Sequence, residues 1–306
     1  MSAKTFTLER HHDYWAGCFT AMASPCQILI DNVDEAAAAR LTHLAYREAV
    51  RIEEKFSRYR RDNIVNRINR SAGAPIEVDT ETAALLDFAE QCYEISAGMF
   101  DITSGVLRKL WRFDGSDRVP RAAQVENILR FVGWPKVTWR RPYLTLPTGM
   151  EIDFGGIGKE YAVDKTAQLL QQQTTTSLLI NFGGDLFTTG PRHSGQGWFV
   201  GVEDIATTQQ TNQSDISARV ANIFELQCGA IATSGDTKRF VLKEGIRYGH
   251  ILDPRTGWPV AGAPHSISVA AATCTDAGIL ATMAMLNGEG AEKFLQQQQM
   301  KFWCLR

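Results

Sequence analysis

An α+β fold in which helices and strands alternate irregularly is the class this sequence predicts, and three observations carry it. Long amphipathic stretches fill the first third of the chain. After Gly149, short apolar runs alternate unevenly with helical stretches. No G-x-G-x-x-G opens a helix after a strand, and strand-helix spacing is irregular, which argues against a Rossmann sheet.

Element by element, Phe19 to Ile30 reads as a strand interrupted at Ser24-Pro25. Asp34 is the expected N-cap of a helix running to Phe56, with Ala38, Leu41, Leu44, Ala45, Ala49 and Ile52 on one face. A second helix spans Thr80 or Thr82 to Ser96, and Gly98 suits its end. Glu151 to Phe154 reads as a strand, Lys159 to Gln172 as a helix, and Ser177 to Phe182, Trp198 to Glu203, Asn222 to Leu226 and Ser266 to Ala272 as further strands. Residues Gln171 to Thr176, Thr207 to Asp215 and Gln296 to Gln299 are low in complexity and read as surface loops or frayed ends.

With 306 residues, 44% of them hydrophobic and 22% charged, the chain can bury one large or two modest cores. One domain over residues 19–306 is expected after an extension of residues 1–18; two pseudo-repeated halves would be invisible at this level. A formal net charge of -2 argues against a duplex nucleic-acid surface. The first residues lack the apolar core of a secretory signal and no run approaches a membrane span, so a cytoplasmic location is expected. Cysteines 18, 26, 92, 228, 274 and 304 form no C-x-x-C pair and read as reduced, mostly buried thiols.

Four glycine-bearing stretches concentrate the chemistry: Asp153-Phe-Gly-Gly-Ile-Gly-Lys159, Asn181-Phe-Gly-Gly-Asp185, Ala232-Thr-Ser-Gly-Asp236 and His250-Ile-Leu-Asp-Pro-Arg-Thr-Gly257. In the first, glycines at a helix start suit a diphosphate neutralised by Lys159, or simply a tight turn. The second suits a bulged strand edge against a flat ligand, or a plain hairpin. In the third, Thr233 and Ser234 offer hydroxyl donors or an ST-turn. His250 stands near Asp253, Arg255 and Thr256 and reads as a base, an orienter or a phosphate contact, the alternative being a structural histidine. Asp253 reads as a turn cap or a second base, and Arg255 as a phosphate contact or a salt-bridge partner.

These stretches, in this order, resemble the FAD:protein FMN transferases of the ApbE type. Phe19-Thr-Ala-Met22, Phe56-Ser-Arg-Tyr59 and Gly98-Met-Phe-Asp-Ile-Thr103, followed by Leu107 and Trp111, resemble further motifs of that family. The resemblance implies that FAD is the substrate, bound by Met22, Tyr59, Met99, Phe100, Asp101, Asp153 and Lys159, with Thr233 and Ile251 completing the contacts. It also implies Mg²⁺ held by the Gly156 carbonyl, Thr282 and an aspartate. FMN would pass to a threonine or serine hydroxyl of an acceptor protein, AMP would leave, and His250, or failing it Asp253, would take the proton.

Three positions depart from the family. Gly278 occupies the slot of the metal aspartate, Ala23 follows the methionine where glycine is usual, and Glu160 follows Lys159 where glycine is usual. Asp276 is the expected substitute ligand if it precedes the helix, because two residues along a helix turn a side chain by about 200°. Besides transfer, the same residues suit an FAD diphosphatase giving FMN and AMP, or a non-catalytic FAD-binding protein.

Overall fold

The computed structural model describes residues 5–203, 220–235 and 240–306. β1 (Thr7–Arg10), β2 (Tyr14–Ala21) and β3 (Ser24–Asp31) open the chain. Next come α1 (Glu35–Phe56), α2 (Ile64–Asn69), β4 (Pro75–Glu77), α3 (Thr80–Ile95), a 3₁₀ helix (Ile102–Lys109) and α4 (Ala122–Leu129). They are followed by β5 (Thr138–Arg140), β6 (Tyr143–Thr145), α5 (Gly158–Gln171), β7 (Leu178–Phe182), β8 (Asp185–Thr188), β9 (Trp198–Glu203) and β10 (Val220–Leu226). The chain closes with β11 (Gly229–Gly235), β12 (Phe240–Lys243), β13 (Ile246–Gly249), β14 (Ser266–Ala271), α6 (Cys274–Leu286), α7 (Ala291–Gln297) and β15 (Lys301–Leu305).

Eight strands form one antiparallel sheet in the order β1-β2-β3-β7-β8-β11-β14-β15. The α+β expectation holds. The chain leaves the sheet after β3, builds all of α1 to α5, and returns to pair Cys26 with Phe182. Helices α1, α5 and α6 cover one face, burying Ile28, Ile30, Leu41, Ala162, Phe182 and Ala277. The β9–β10 hairpin covers part of the other through Trp198, Val200 and Leu226 against Leu179, Leu186 and Ile231. Covered on both sides, β7 reads as a continuous apolar run rather than an alternating one. Among the described residues, no helix is long and apolar enough to cross a membrane.

Helix α1 begins where expected, with the Asp34 side chain accepting from Ala37 N at 2.7 Å. Its buried residues Ala38, Leu41, Ala45, Ala49, Ile52 and Phe56 recur at helical spacing, and each large one contributes about 2 kcal/mol through burial. It lies so close to β2 that a Cβ at Gly17 would stand 2.1 Å from Thr42 Oγ1.

Three expectations are corrected. The break in the first strand falls at Met22-Ala23 (φ 52° and 54°), the centre of a two-residue hairpin, while Ser24-Pro25 lie inside β3. The boundary expected after residue 18 falls inside β2, and β1 is already an edge strand of the main sheet. Glu151 to Phe154 is not a strand. Ile152 and Phe154 are buried in the expected alternation, but the Asn69 side chain brackets the Ile152 backbone at 2.8 and 3.0 Å in place of a neighbouring strand. Of the cysteines, all free, Cys26, Cys92 and Cys274 are buried. The low-complexity run Thr207 to Asp215 and the motif residue Asp236 lie outside the described residues.

Candidate functional site

The glycine segment Gly155-Gly156 leads into α5, whose N-cap, Ile157, offers no side-chain hydrogen bond. The Ile157 and Gly158 N–H groups turn back onto Phe154 O at 2.9 and 2.7 Å, and the positive end of the helix dipole favours an anion. Lys159 leaves the first turn and places Nζ 2.6 Å from Asp185 Oδ2, which is 1% exposed. Burial alone would lower the Lys159 pKa, but the neighbouring Asp185 and Glu160 carboxylates outweigh it and hold the ammonium above its ordinary value. Asp185 also accepts from Thr233 N at 3.2 Å, and Thr233 Oγ1 meets Ser268 Oγ at 2.8 Å. The lysine stem passes Gly183, whose positive φ of 63° belongs with that of Gly184 (101°) to the β7–β8 turn. The hairpin alternative for Asn181 to Asp185 is therefore what the chain forms, with Asn181 Oδ1 accepting from Gly184 N at 2.9 Å.

Glu160, the next residue of α5, is only 8% exposed; its Oε2 receives no bond from a donor group, and its side chain meets the Asp185 carboxyl. Burial, reinforced by the Asp185 charge, pushes its carboxyl up to about 8. The side chain lies on Gly278 of α6: an added Cβ there would meet Glu160 Cγ at 2.5 Å and Oε1 at 2.9 Å. One turn further along α6, Thr282 Oγ1 is 3.0 Å from Ser234 Oγ. Asp276 does not join this group. It is the third residue of α6, its N–H is capped by Thr273 Oγ1 at 3.0 Å, and it is exposed. The condition under which it would substitute for a ligand at position 278 is not met, because the helix has begun before it and turns its side chain away.

The elements expected on the flavin side gather at the same end of the sheet. Met22 N donates to Glu53 Oε2 at 2.8 Å in the β2–β3 turn. Arg58 ion-pairs with Asp153, donates to Tyr59 Oη at 2.8 Å and lies 4.9 Å over the Tyr59 ring, which is 78% exposed. Asp153 Oδ1 accepts from Gly155 N at 3.0 Å, tying this pair to the glycine segment. Phe100 is buried against Gly156, where a Cβ would stand 3.1 Å from its ring, and Met99 is half-buried beside it in sequence. Asp101 holds the backbone: Oδ1 accepts from Thr103 N and Oγ1 at 2.8 and 2.6 Å, and Oδ2 from Trp134 N at 2.9 Å.

His250 packs edge-on to Phe113 with ring centroids 6.2 Å apart. Ile251 is partly buried and joins the packing around α6. Asp253 is the hub of its turn, pairing with Arg255 at 2.7 Å and accepting Arg255 N at 2.8 Å, while its carbonyl accepts Gly257 N at 2.7 Å. Burial works to raise its pKa, and Arg255 outweighs this and holds it below the ordinary value. The turn-cap and salt-bridge alternatives thus describe Asp253 and Arg255. Trp111 fastens the turn, donating from Nε1 to Gly257 O at 2.8 Å. A cleft of about 220 Å³ lies between this turn and the Gly98–Asp101 segment, lined by Tyr93, Gly98, Asp101, Val132, Pro254 and Arg255.

Lys159 and the Thr233 N–H therefore converge on Asp185, Thr282 meets Ser234 on the helix-covered face while the Thr233 hydroxyl lies with Ser268 on the other, and Tyr59, Phe100 and Asp153 gather against the glycine segment. Arg58 and Asp185 enter as members that sequence reasoning left without a role. Glu160 entered it only as a departure beside Lys159, the one signal available. Among the described residues, no group of three His, Cys, Asp or Glu is placed to hold a metal. A cation here would rest on mixed oxygen donors, and the Glu160 Oε2, which meets no donor group, and the Thr282 hydroxyl fit a hard ion such as Mg²⁺.

Comparisons with known proteins place the chain in a family. A profile of the ApbE family matches residues 22–304. An FAD:protein FMN transferase from Vibrio cholerae is 30% identical over 244 residues, covering 78% of this chain and 70% of the relative. One from Klebsiella pneumoniae is 31% identical over 279 residues, covering 89% and 81%. The crystal structure of the ApbE protein from Thermotoga maritima superposes with a TM-score of 0.84 at 29% identity, covering 95% of this chain and 94% of that one. On this sequence match and this shared fold, the chain belongs to the ApbE family.

Proposed function

We propose that this protein transfers FMN from FAD to a serine or threonine hydroxyl of an acceptor protein and releases AMP. The observation that carries the reading is the ion pair between Lys159, in the first turn of α5, and buried Asp185, in a chain of this family. That arrangement offers an ammonium and the positive end of a helix dipole to a diphosphate. Lys159 stays charged because two carboxylates surround it, and Asp185 fixes its head group so that little reorganisation accompanies the reaction.

In the reaction, the acceptor oxygen forms a bond to the FMN-side phosphorus while the bond from that phosphorus to the bridging oxygen breaks. AMP leaves with the electron pair. His250 is assigned the hydroxyl proton, histidine being the most frequent base for this task. Tyr59, exposed under Arg58, and Met22 in its strained turn are assigned to the flavin. Asp101 positions rather than contacts, since both its oxygens already hold the backbone. The Gly156 carbonyl, Thr282 and a carboxylate would hold Mg²⁺, which when bound neutralises phosphate charge as a Lewis acid.

The test is AMP release from FAD by the purified chain, with Mg²⁺ or EDTA, in the presence of a threonine-containing acceptor domain. Metal-dependent AMP in step with covalent flavin on the acceptor is expected. Free FMN without labelled acceptor would replace transfer by hydrolysis, and bound FAD without AMP would leave a flavin-binding protein.

A further inference from the structure

We infer that Glu160 is the carboxylate of the cation site, supplied from α5 in place of the side chain that Gly278 lacks on α6. This rests on the reading that the pocket handles a diphosphate with a divalent cation.

The first observation is a buried carboxyl that meets no donor group. Glu160 is more than nine-tenths buried, no N–H or hydroxyl reaches its Oε2, and the group within hydrogen-bonding reach of its side chain is another carboxyl, Asp185. Native structures rarely leave a buried polar atom so unless a water, ion or ligand completes it. The second is shape. A Cβ at position 278 would stand 2.9 Å from both Glu160 Cδ and Oε1, so the glutamate carboxylate fills the space that a short acidic side chain on α6 would take. The longer glutamate stem, starting from α5, reaches the same place from the other side. The third is the neighbourhood. Residues 278 and 282 lie one turn apart on one face of α6, and Thr282 Oγ1 with Ser234 Oγ forms a hydroxyl pair there. Oxygen-only donors of this kind suit a hard cation.

The other acidic groups do not compete. Asp185 Oδ1 accepts from Thr233 N–H, and its Oδ2 faces the Lys159 ammonium, with the Glu160 carboxyl beside it; Asp164 accepts from Cys274 N and from Thr275 N and Oγ1. Asp276 is exposed in the first turn of α6.

The experiment titrates the full chain with Mn²⁺ alone, reading free Mn²⁺ by electron paramagnetic resonance, and repeats this with FAD. FAD binding is followed separately by flavin fluorescence and folding by circular dichroism. Wild type is expected to bind Mn²⁺, and Glu160→Gln, which keeps the packing, to bind at least about 100-fold more weakly. Gly278→Asp alone is expected not to strengthen binding, because its side chain runs into Glu160. The combined Glu160→Ala, Gly278→Asp chain is expected to return to within about tenfold of wild type. Equal Mn²⁺ binding by wild type and Glu160→Gln overturns the assignment, as does a folded combined variant that stays without Mn²⁺, or a wild type that binds none. Wild type that neither binds FAD nor releases AMP sinks the functional reading instead, whatever Mn²⁺ does.

Discussion

Two charge clusters meet at consecutive residues of α5, and they are finished to different degrees. On the outer side, Tyr161 donates to Glu81, which also binds Arg51 and Lys55, while Asp79 binds Lys55 and caps α3. Every carboxylate oxygen there is engaged. The Arg51 hydrogen bonds, opposed by partial burial, hold Glu81 down to about 2. Asp79 also sits at about 2, because its bonds to Lys55 and Thr82 overcome the burial that would raise it. On the inner side, Lys159 faces two buried carboxylates, Asp185 and Glu160, and both titrate above their ordinary values because burial outweighs the single ammonium. The outer cluster is complete as structure. The inner one has two carboxyls for one ammonium, and burial keeps them from both ionising at neutral pH, an arrangement that occurs at functional sites.

The comparison breaks first at Lys159. Lys159→Met leaves Asp185 buried without its counter-ion and is expected to cost about 3–5 kcal/mol in denaturant unfolding. Lys55→Met on the outer side should cost less than about 1 kcal/mol. Equal losses would abolish the distinction.

Gly278→Ala sharpens it. Replacing a glycine inside a helix by alanine normally gains about 1 kcal/mol. Here the new Cβ meets Glu160 Cγ at 2.5 Å, so a loss of about 1–3 kcal/mol is expected in thermal or denaturant melts. A gain would show that the Glu160 side chain is free to move aside.

The smallest effect belongs to Glu81. Its folded pKa of about 2 lies below the ordinary 4.5, so its stabilising contribution is present above pH 4.5 and disappears as pH falls through about 2. Glu81→Gln should lower stability at neutral pH by about 1 kcal/mol and flatten the acid limb of the stability curve. Wild type and variant should converge near pH 2. Parallel curves would deny Glu81 its partners.

What could be read from the sequence was largely local. The Asp34 cap, the spacing from Ala38 to Phe56, the Lys159 helix and the apolar run of β7 each declare themselves within a few residues, and the structure has them there. Glu151 to Phe154 misled because alternating burial is real there, while the partner that would make it a strand is the side chain of Asn69. Asp101 was legible in chemistry but not in use, since an aspartate two residues before Thr103 is also a cap. The sheet order joins β3 to β7 across more than a hundred residues, and the Glu160 contact with Gly278 spans a similar gap. Neither has a local signature.

That last contact also constrains how such a chain can change over generations. Acquiring an aspartate at 278 first drives it into Glu160, and losing Glu160 first empties the space both would serve. If Glu160 serves the cation as inferred above, either single change is expected to weaken the site, which would make the two positions epistatic. Relatives are expected to hold glutamate with glycine or glycine with aspartate, and a reader scanning position 278 alone would mistake an exchange for decay.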